Sequence, residues 1–368
     1  MRGCGGLGLA MPGRVGGAWP RASASAAQPA ASASHRYLGG VMGLIVLFVI
    51  VAGGLVVVLA VGVLYGLAHP PRMTLGRALA RGLPEHPGEL GLDYEAATYR
   101  ARHGGEETLW LVPGERDDGP LVVVSHGWGD GRYGSQLWLP LVRAYASRVV
   151  LYDLRGQGES SAATSRCGLD EPDDLLHLLD HLGAERVVLL GYSLGACVSV
   201  VAAAKDAEAA DAGATRGVRG TSPRGLGRGR IVGVIGDGIY RRWDEPIVSL
   251  FRMRRWPRQP MLWLAGAWMW VTHREFRRFD RAAWAAKLRC PLLLLHGDDD
   301  AICPLASAQA VAAAAPDARL VTFEGGGHLD LVERDPDRYR DALDAFFSLV
   351  QERTPQRHEE HGGHGAES

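Results

Sequence analysis

The chain has 368 residues, of which 47% are hydrophobic, so it can bury a sizeable core in one large domain or two small ones. Its 40 basic and 41 acidic residues give a net charge of -1, which provides no overall basic surface for nucleic acid. The five cysteines have neither a CxxC pair nor the spacing of metal ligands, which argues against a disulfide framework and against a metal cofactor held by cysteines.

The N-terminal region changes composition at about residue 37. Residues 1–36 are rich in Gly, Ala, Ser and Pro without apolar periodicity, which predicts a disordered segment. Residues 37–68 contain no charged side chain. As a helix they would extend about 48 Å, whereas the hydrocarbon core of a bilayer is about 30 Å thick. We therefore predict a transmembrane helix over 37–68 and a single-pass membrane protein.

Two other interpretations of this segment are weaker. A buried helix of a soluble domain is rarely apolar on every face over such a length. A cleaved signal peptide has a shorter apolar region, and Gly66-Leu67-Ala68 is a poor cleavage site. The basic residues on the two sides are nearly balanced, and they favour a cytoplasmic catalytic domain only by a small margin.

After a linker over 69–90, apolar runs alternate with helical patterns. The runs 92–101 and 107–113 flank His103-Gly104-Gly105 and predict two antiparallel strands. Continuous apolar runs, typical of buried parallel strands, lie at 121–127, 148–156, 186–193, 231–238, 291–297 and 319–325. The helical patterns lie at Gln136–Ala146, Pro172–Leu182, Leu194–Ala204, Leu305–Ala314 and Arg338–Val350. This alternation predicts an α/β domain over 91–350 with a doubly wound, mostly parallel sheet.

Three segments depart from the alternation. Residues 205–230 are polar and rich in glycine and arginine, which predicts a flexible surface loop. Residues 239–289 separate two strands by more than a short connection requires, and we interpret them as a small helical cap. The tail 351–368 carries three histidines in a polar stretch, which we interpret as disordered rather than as a metal site.

A Gly-x-Ser-x-Gly pentapeptide is centred on Ser193. It follows the apolar run that ends at Leu190 and precedes a helical pattern that begins at Leu194. This strand, turn and helix setting is the one that a nucleophile elbow requires, because it exposes a serine hydroxyl above the end of a sheet. The sequence therefore predicts that Ser193 is a nucleophile.

A serine hydroxyl at its ordinary pKa needs a base within hydrogen-bond reach, and the base needs a carboxylate to hold its tautomer. His328 lies in a glycine-rich loop directly after the last apolar run, where the chain can direct an imidazole at the edge of the sheet. Asp298, Asp299 and Asp300 follow the preceding run. Because three adjacent carboxylates repel one another, we expect two of them to face solvent.

The order of serine, aspartate and histidine, each after a predicted strand, resembles the α/β-hydrolase superfamily. The resemblance covers about 120–350 and is closest to bacterial esterase-like and lipase-like members with small caps. It is carried by SHGWGDG, LYDLRGQGES, GYSLG, LLLLHGDDDAICP and GGGHLD, which begin at 125, 151, 191, 292 and 325.

The resemblance implies a role for several residues. It selects Asp300 as the acid, because the acid of the family is the third residue after the glycine of H-G-x-x-D-x-x-x-P; Asp299 is the second choice and Asp237 a distant third. It assigns the oxyanion hole to the backbone amides of Trp128 and Leu194. It also gives His126 and Asp153 structural roles in fixing loops.

These features predict a membrane-anchored serine hydrolase that cleaves carboxylic esters through an acyl-enzyme and needs no cofactor. The predicted cap holds six of the ten tryptophans and twelve basic residues against four acidic ones, which suits either an acyl chain and a lipid surface or an ordinary packed cap. Two alternatives stay open. One is an acyltransferase, thioesterase or peptidase with the same triad, and the other is a non-catalytic membrane-tethered interaction protein.

Overall fold

The structure is a computed structural model that describes residues 31–215, 229–255, 259–272 and 279–353. The chain divides into two compact units, Met1–Leu55 and Val56–Ser368. Helix α1 runs from Ala31 to Ala68, so it begins six residues before the predicted start. Its segment Leu38–Ala68 is the one described helix long and apolar enough to cross a membrane, with a mean hydropathy of 3.3.

An eight-stranded sheet forms the centre of the second unit, with the order β1-β2-β4-β3-β5-β6-β7-β8. Strands β1 and β2 pair antiparallel, β2 pairs antiparallel with β4, and the other six strands are parallel. The strands are β1 Glu95–Arg100, β2 Glu106–Pro113, β3 Leu121–Ser125, β4 Arg148–Tyr152, β5 Val187–Tyr192, β6 Ile231–Asp237, β7 Leu292–Gly297 and β8 Ala318–Phe323. Each predicted strand is thus present, in a doubly wound α/β architecture.

Both faces of the sheet are covered, which explains why its central strands are apolar throughout. In β3, Val123 packs into the core cluster on one face, whereas Val122 and Val124 pack into the cluster on the other. All three are fully buried. Successive side chains of a strand point to opposite faces, so a strand with helices on both sides needs an apolar residue at every position.

The helices that cover the sheet follow the predicted ones with differences at their ends. The helices after α1 are α2 Leu75–Ala80, α3 Arg132–Ser135, α4 Leu139–Val142, α5 Glu171–His181, α6 Leu194–Thr215, α7 Glu245–Met253, α8 Met261–Thr272, α9 Arg281–Ala285, α10 Leu305–Ala314, α11 Leu331–Arg334 and α12 Pro336–Glu352. Helix α10 has the predicted bounds. The predicted tail lies outside the described residues from 354 onward.

Three segments differ from the prediction. Helix α6 continues to Thr215, eleven residues into the stretch predicted as a loop, because 205–215 contains five alanines among residues that tolerate a helix. The predicted helix Gln136–Ala146 is divided into short helical turns, since Pro140 lacks the amide of a continuous helix. The predicted linker contains α2 and packs on the sheet through Met73 and Ala78.

The region predicted as a cap contains α7, α8 and α9, and it includes the buried side chain of Arg281. This side chain is fully buried, and its guanidinium lies 5.0 and 4.3 Å from the ring centroids of Tyr240 and Phe279. Its Nη2 donates to the carbonyl of Cys167 at 3.2 Å. Nε and Nη1 have no hydrogen-bond partner among the described residues.

A buried ionic group fixes the loop that follows β4, as the sequence predicted for Asp153. The carboxylate of Asp153 accepts hydrogen bonds from the backbone amides of Arg132 at 2.7 Å and Glu159 at 3.1 Å. The Arg132 guanidinium pairs with Asp153 and with Glu159, and it lies 5.0 Å from the Trp110 ring centroid. The loop is therefore held against the helical turn that follows β3.

We predict that Arg132→Ala lowers the free energy of unfolding by about 3–5 kcal/mol, because it leaves the Asp153 carboxylate buried without its ionic partner. Denaturant unfolding of the full chain in detergent would measure the loss. The exposed pair Arg116–Asp118 offers a control, since Arg116→Ala should cost less than about 1 kcal/mol. Equal losses in the two variants would contradict the prediction.

Candidate active site

Ser193 occupies a sharp turn between β5 and α6. Its φ of +54° lies in the left-handed region that non-glycine residues rarely adopt. The turn is held from the neighbouring strand, because the Ser193 amide donates to the carbonyl of Asp237 at 2.8 Å. Strain of this kind is maintained at functional sites by the surrounding structure, and here it raises the hydroxyl above the sheet.

The two glycines of the pentapeptide are required by close backbone contacts. A Cβ on Gly195 would lie 1.8 Å from the carbonyl oxygen of Ser125, so helix α6 could not approach β3 with a larger residue there. A Cβ on Gly191 would lie 2.2 Å from the carbonyl oxygen of Gly195. Both positions therefore accept only glycine at this separation of helix and strand.

The structure brings Ser193, His328 and Asp300 together in one hydrogen-bonded chain. Nε2 of His328 lies 3.1 Å from Ser193 Oγ, and Nδ1 lies 2.8 Å from Asp300 Oδ2. The three residues follow β5, β8 and β7, so the C-terminal ends of parallel strands assemble them from separate parts of the sequence. The geometry suits a neutral imidazole that donates to the carboxylate and accepts from the hydroxyl.

The other aspartates of the run do not reach the histidine. Asp298 and Asp299 are exposed, as expected for two of three adjacent carboxylates. Asp298 accepts from the Gly325 amide at 2.7 Å, which ties the loop after β7 to the loop after β8. Among the candidate acids, Asp300 is the one that hydrogen-bonds His328, while Asp237 lies nearby at the end of β6.

The surroundings of Asp300 keep its buried carboxyl ionised. Burial raises the pKa of Asp300, but the hydrogen bond and charge of His328 and the amides of Cys303 and Ile302 outweigh it, so the pKa lies below its ordinary value. Those amides donate to Asp300 Oδ1 at 2.7 and 2.8 Å. The carboxylate can therefore stabilise an imidazolium at neutral pH.

The amides assigned to the oxyanion hole flank the serine. Leu194 is the first residue of α6, where amides have no acceptor within the helix. Trp128 lies in the loop after β3, where a Cβ on the preceding Gly127 would be 3.4 Å from Ser193 Cβ. Neither amide donates a hydrogen bond to another residue within the described part of the chain. Both are therefore free to bind an oxygen next to Ser193 Oγ.

Two buried histidines hold the loops around the serine. His126 Nδ1 donates to the Gly127 carbonyl at 2.8 Å, and its Nε2 accepts from the Leu154 amide at 2.8 Å, so His126 has the structural role predicted for it. His296 lies 2.8 Å from the Cys303 carbonyl and 3.7 Å from Asp300, and burial lowers its pKa. The role of His296 was not predicted from the sequence, although His296 directly precedes Gly297 of the acid motif.

Asp300, Cys303 and His328 also offer atoms within 4.8 Å of one another, which is close enough to hold a metal ion. Both ring nitrogens of His328, however, already lie at hydrogen-bond distance from Ser193 and Asp300. Burial raises the pKa of the Cys303 thiol well above its ordinary value, which opposes the thiolate that a metal would bind. The arrangement therefore suits proton transfer better than metal binding.

The chain is similar to known proteins. The model of the alpha/beta hydrolase family matches residues 121–342, which is more than half of the chain. The chain belongs to the α/β-hydrolase family. It is an enzyme of the hydrolase class, and its mostly parallel eight-stranded sheet is the fold of that family.

Three proteins that are similar to this chain differ in their named activities. A non-heme haloperoxidase of Rhodococcus erythropolis is 27% identical over 242 residues, 57% of this chain and 86% of the relative. A dihydrolipoyllysine-residue acetyltransferase component of the acetoin cleaving system of Pseudomonas putida is 39% identical over 105 residues, only 28% of each chain. The Pyrococcus furiosus esterase Pf2001 has a TM-score of 0.53 at 16% identity, over 76% of this chain and 99% of the esterase.

We predict that Gly195→Ala removes the elbow of this α/β-hydrolase, because the added methyl group would collide with backbone of β3. The variant should either fail to fold or lose reaction with a fluorophosphonate probe at Ser193. Gly76→Ala is the control, since a Cβ there has open space, and it should behave as the wild type. Normal labelling of a folded Gly195→Ala protein would contradict the prediction.

Proposed function

We propose that this α/β-hydrolase is a membrane-anchored serine hydrolase that cleaves carboxylic esters. The observation that carries the proposal is the hydrogen-bonded chain from Ser193 through His328 to Asp300 at the strained turn after β5. An elbow serine, a base and a buried carboxylate in this order have the geometry of acyl transfer. The intact chain of three residues argues against a non-catalytic interaction protein.

The first half of the reaction forms an acyl-enzyme. Ser193 Oγ attacks the ester carbonyl while His328 Nε2, at 3.1 Å, takes the hydroxyl proton. The carbonyl oxygen becomes negative and is bound by the amides of Trp128 and Leu194. The tetrahedral intermediate then expels the alcohol, which receives the proton from His328.

The second half uses the same groups with water as the nucleophile. His328 takes a proton from water as the water oxygen attacks the acyl carbonyl, and it returns that proton to Ser193 Oγ when the carboxylic acid leaves. Asp300 accepts from Nδ1 throughout, which holds the tautomer that both halves require. An acceptor alcohol, thiol or amine in place of water would make the product of an acyltransferase.

The region predicted as a cap has an exposed apolar surface that suits contact with a lipid. Its exposed side chains include Met253, Trp263 and Val271, which leave apolar surface on α7 and α8. Apolar surface with nearby arginines is suited to the boundary of an anionic lipid bilayer. These side chains support a lipid ester as the substrate class within the proposed activity.

The last turns of α1 support a retained anchor rather than a cleaved signal peptide. The carbonyl of Ala68 accepts from the Ser165 amide at 2.8 Å, and Leu64 packs against the cluster that contains Leu169 and Phe279. Cleavage after Ala68 would remove contacts that the folded domain uses. A signal peptide has no comparable reason to pack on the mature protein.

We predict that Ser193→Ala lowers kcat for p-nitrophenyl esters by a factor on the order of 10⁶ and abolishes fluorophosphonate labelling, while the protein stays folded. Ser199→Ala is the matched control. Ser199 is buried in the same helix and its hydroxyl has no partner among the described residues, so its loss should leave the rate unchanged. Turnover that persists in Ser193→Ala would sink the proposal.

For the anchor, we predict that the protein stays in the membrane pellet after an alkaline carbonate wash and that its mass includes residues before Leu38. Leu55→Lys, which places a charge near the middle of α1 at a cost of about 2.5–3.5 kcal/mol, should reduce the retained fraction. Mass spectrometry of a mature chain that begins after Ala68 would instead show that the helix is removed.

A further inference from the structure

A second buried carboxyl group lies beside the triad. Asp237 is the last residue of β6. In the sheet, β6 lies between β5, which leads into the Ser193 turn, and β7, which precedes Asp300. Its side chain is 1% exposed. Oδ2 accepts from the hydroxyl of Tyr339 at 3.1 Å, and Oδ1 has no hydrogen-bond partner among the described residues. A buried, half-satisfied carboxyl group is costly, so its position calls for an explanation.

Backbone contacts connect Asp237 to both Ser193 and His328. Its carbonyl accepts from the Ser193 amide at 2.8 Å, which fixes the elbow. The next residue, Gly238, has φ +61° and lies against the imidazole of His328. A Cβ there would be 3.0 Å from Cε1 and 3.2 Å from Nδ1 of His328. The backbone that carries the carboxyl group therefore also supports the imidazole ring.

We propose that Asp237 is a positioning residue whose carboxylate, when ionised, stabilises the imidazolium of His328, and that Tyr339 holds this carboxylate in place. The role rests on the proposed function, in which His328 is the base. Asp237 does not replace Asp300, because Asp300 accepts the Nδ1 hydrogen bond. It adds a negative charge to the buried surroundings of His328, where charges are weakly screened.

The charge on this carboxyl group changes near neutral pH. Burial raises the pKa of Asp237 to about 7, against the opposing effects of the Tyr339 hydroxyl and the charge of His328. The carboxylates of Asp300 and Asp330 raise it further. These groups come from α12 and from the loops after β7 and β8, which pack around the end of β6. Asp237 is thus neutral in mild acid and ionised in mild alkali.

The pH dependence of an isosteric variant tests the role. In mild acid the wild-type carboxyl group is neutral, so Asp237→Asn should have the same kcat/KM as the wild type. In mild alkali the wild type gains a negative charge that the variant lacks, so the ratio of wild type to variant should rise to about tenfold, the effect of one pKa unit of electrostatic stabilisation. If Asp237→Asn only disturbed the structure, the ratio of wild-type to variant kcat/KM would not change with pH.

Tyr339→Phe provides a second variant with a different expectation. Its hydroxyl donates to the carboxylate and lowers the pKa of Asp237, so its removal should move the ionisation of Asp237 to higher pH. The alkaline gain in kcat/KM should then begin at higher pH than in the wild type. Asp299→Asn is the control, because this carboxylate is exposed. The ratio of wild-type kcat/KM to that of Asp299→Asn should not change with pH.

Thermal unfolding supplies a readout that does not require catalysis. With a pKa of 3.8 when unfolded and about 7 when folded, Asp237 binds more protons in the folded state between these values, so it makes the wild type less stable as pH rises through this range. The melting temperature of Asp237→Asn minus that of the wild type should therefore increase from about pH 4 to pH 7 and be constant above pH 7.

The experiment compares the full chain and its variants in detergent, with p-nitrophenyl butyrate as the substrate and parallel melting curves. A ratio of kcat/KM that rises with pH, together with the stability difference, is the expected result. A flat ratio in an active enzyme would overturn the role of Asp237 and leave the proposed function standing. A folded wild type without esterase activity would overturn the proposed function and, with it, this role.

Discussion

The close approach of helix α6 to strand β3 is the constraint on which the site depends. Only a glycine at 195 allows the first turn of the helix to meet the backbone of Ser125, and this contact forces the preceding turn to be sharp. Ser193 then takes its left-handed conformation because the chain has no room for a wider turn. Asp300 and His328 then need only lie in the loops after β7 and β8, at the C-terminal ends of neighbouring parallel strands.

Buried polar groups hold the loops around Ser193 in place. His126 joins the loops after β3 and β4, and the Arg132–Asp153 pair fixes the second of these loops. Each group is costly to bury alone, but the His126 imidazole and the Asp153 carboxylate bond to backbone amides and carbonyls of the loops, and the Arg132 guanidinium pairs with two carboxylates. The cost of ordering the loops around the serine is therefore offset within the protein, before any substrate binds.

The fold and most of the site could be predicted from the sequence because they depend on local patterns. Continuous apolar runs mark strands buried on both faces, and the serine, aspartate and histidine each follow such a run. The extension of α6 beyond Ala204 does not follow from composition, because its polar residues and Gly213 are also typical of a surface loop. The alanines between them, together with contacts such as Lys205–Asp173, favour the helix. The neighbours of Asp237 and the burial of Arg281 likewise come from distant segments, and no local pattern encodes them.

Arg281 has a consequence for the stability of the domain. Its guanidinium is buried between two aromatic rings with two of its three nitrogens unsatisfied, so access of water to this point returns part of the hydration energy that folding removed. The Arg281 side chain is therefore held at the start of α9 by cation–π contacts and a hydrogen bond to the Cys167 carbonyl. An apolar side chain of similar volume at this position would avoid the cost of removing a guanidinium from water.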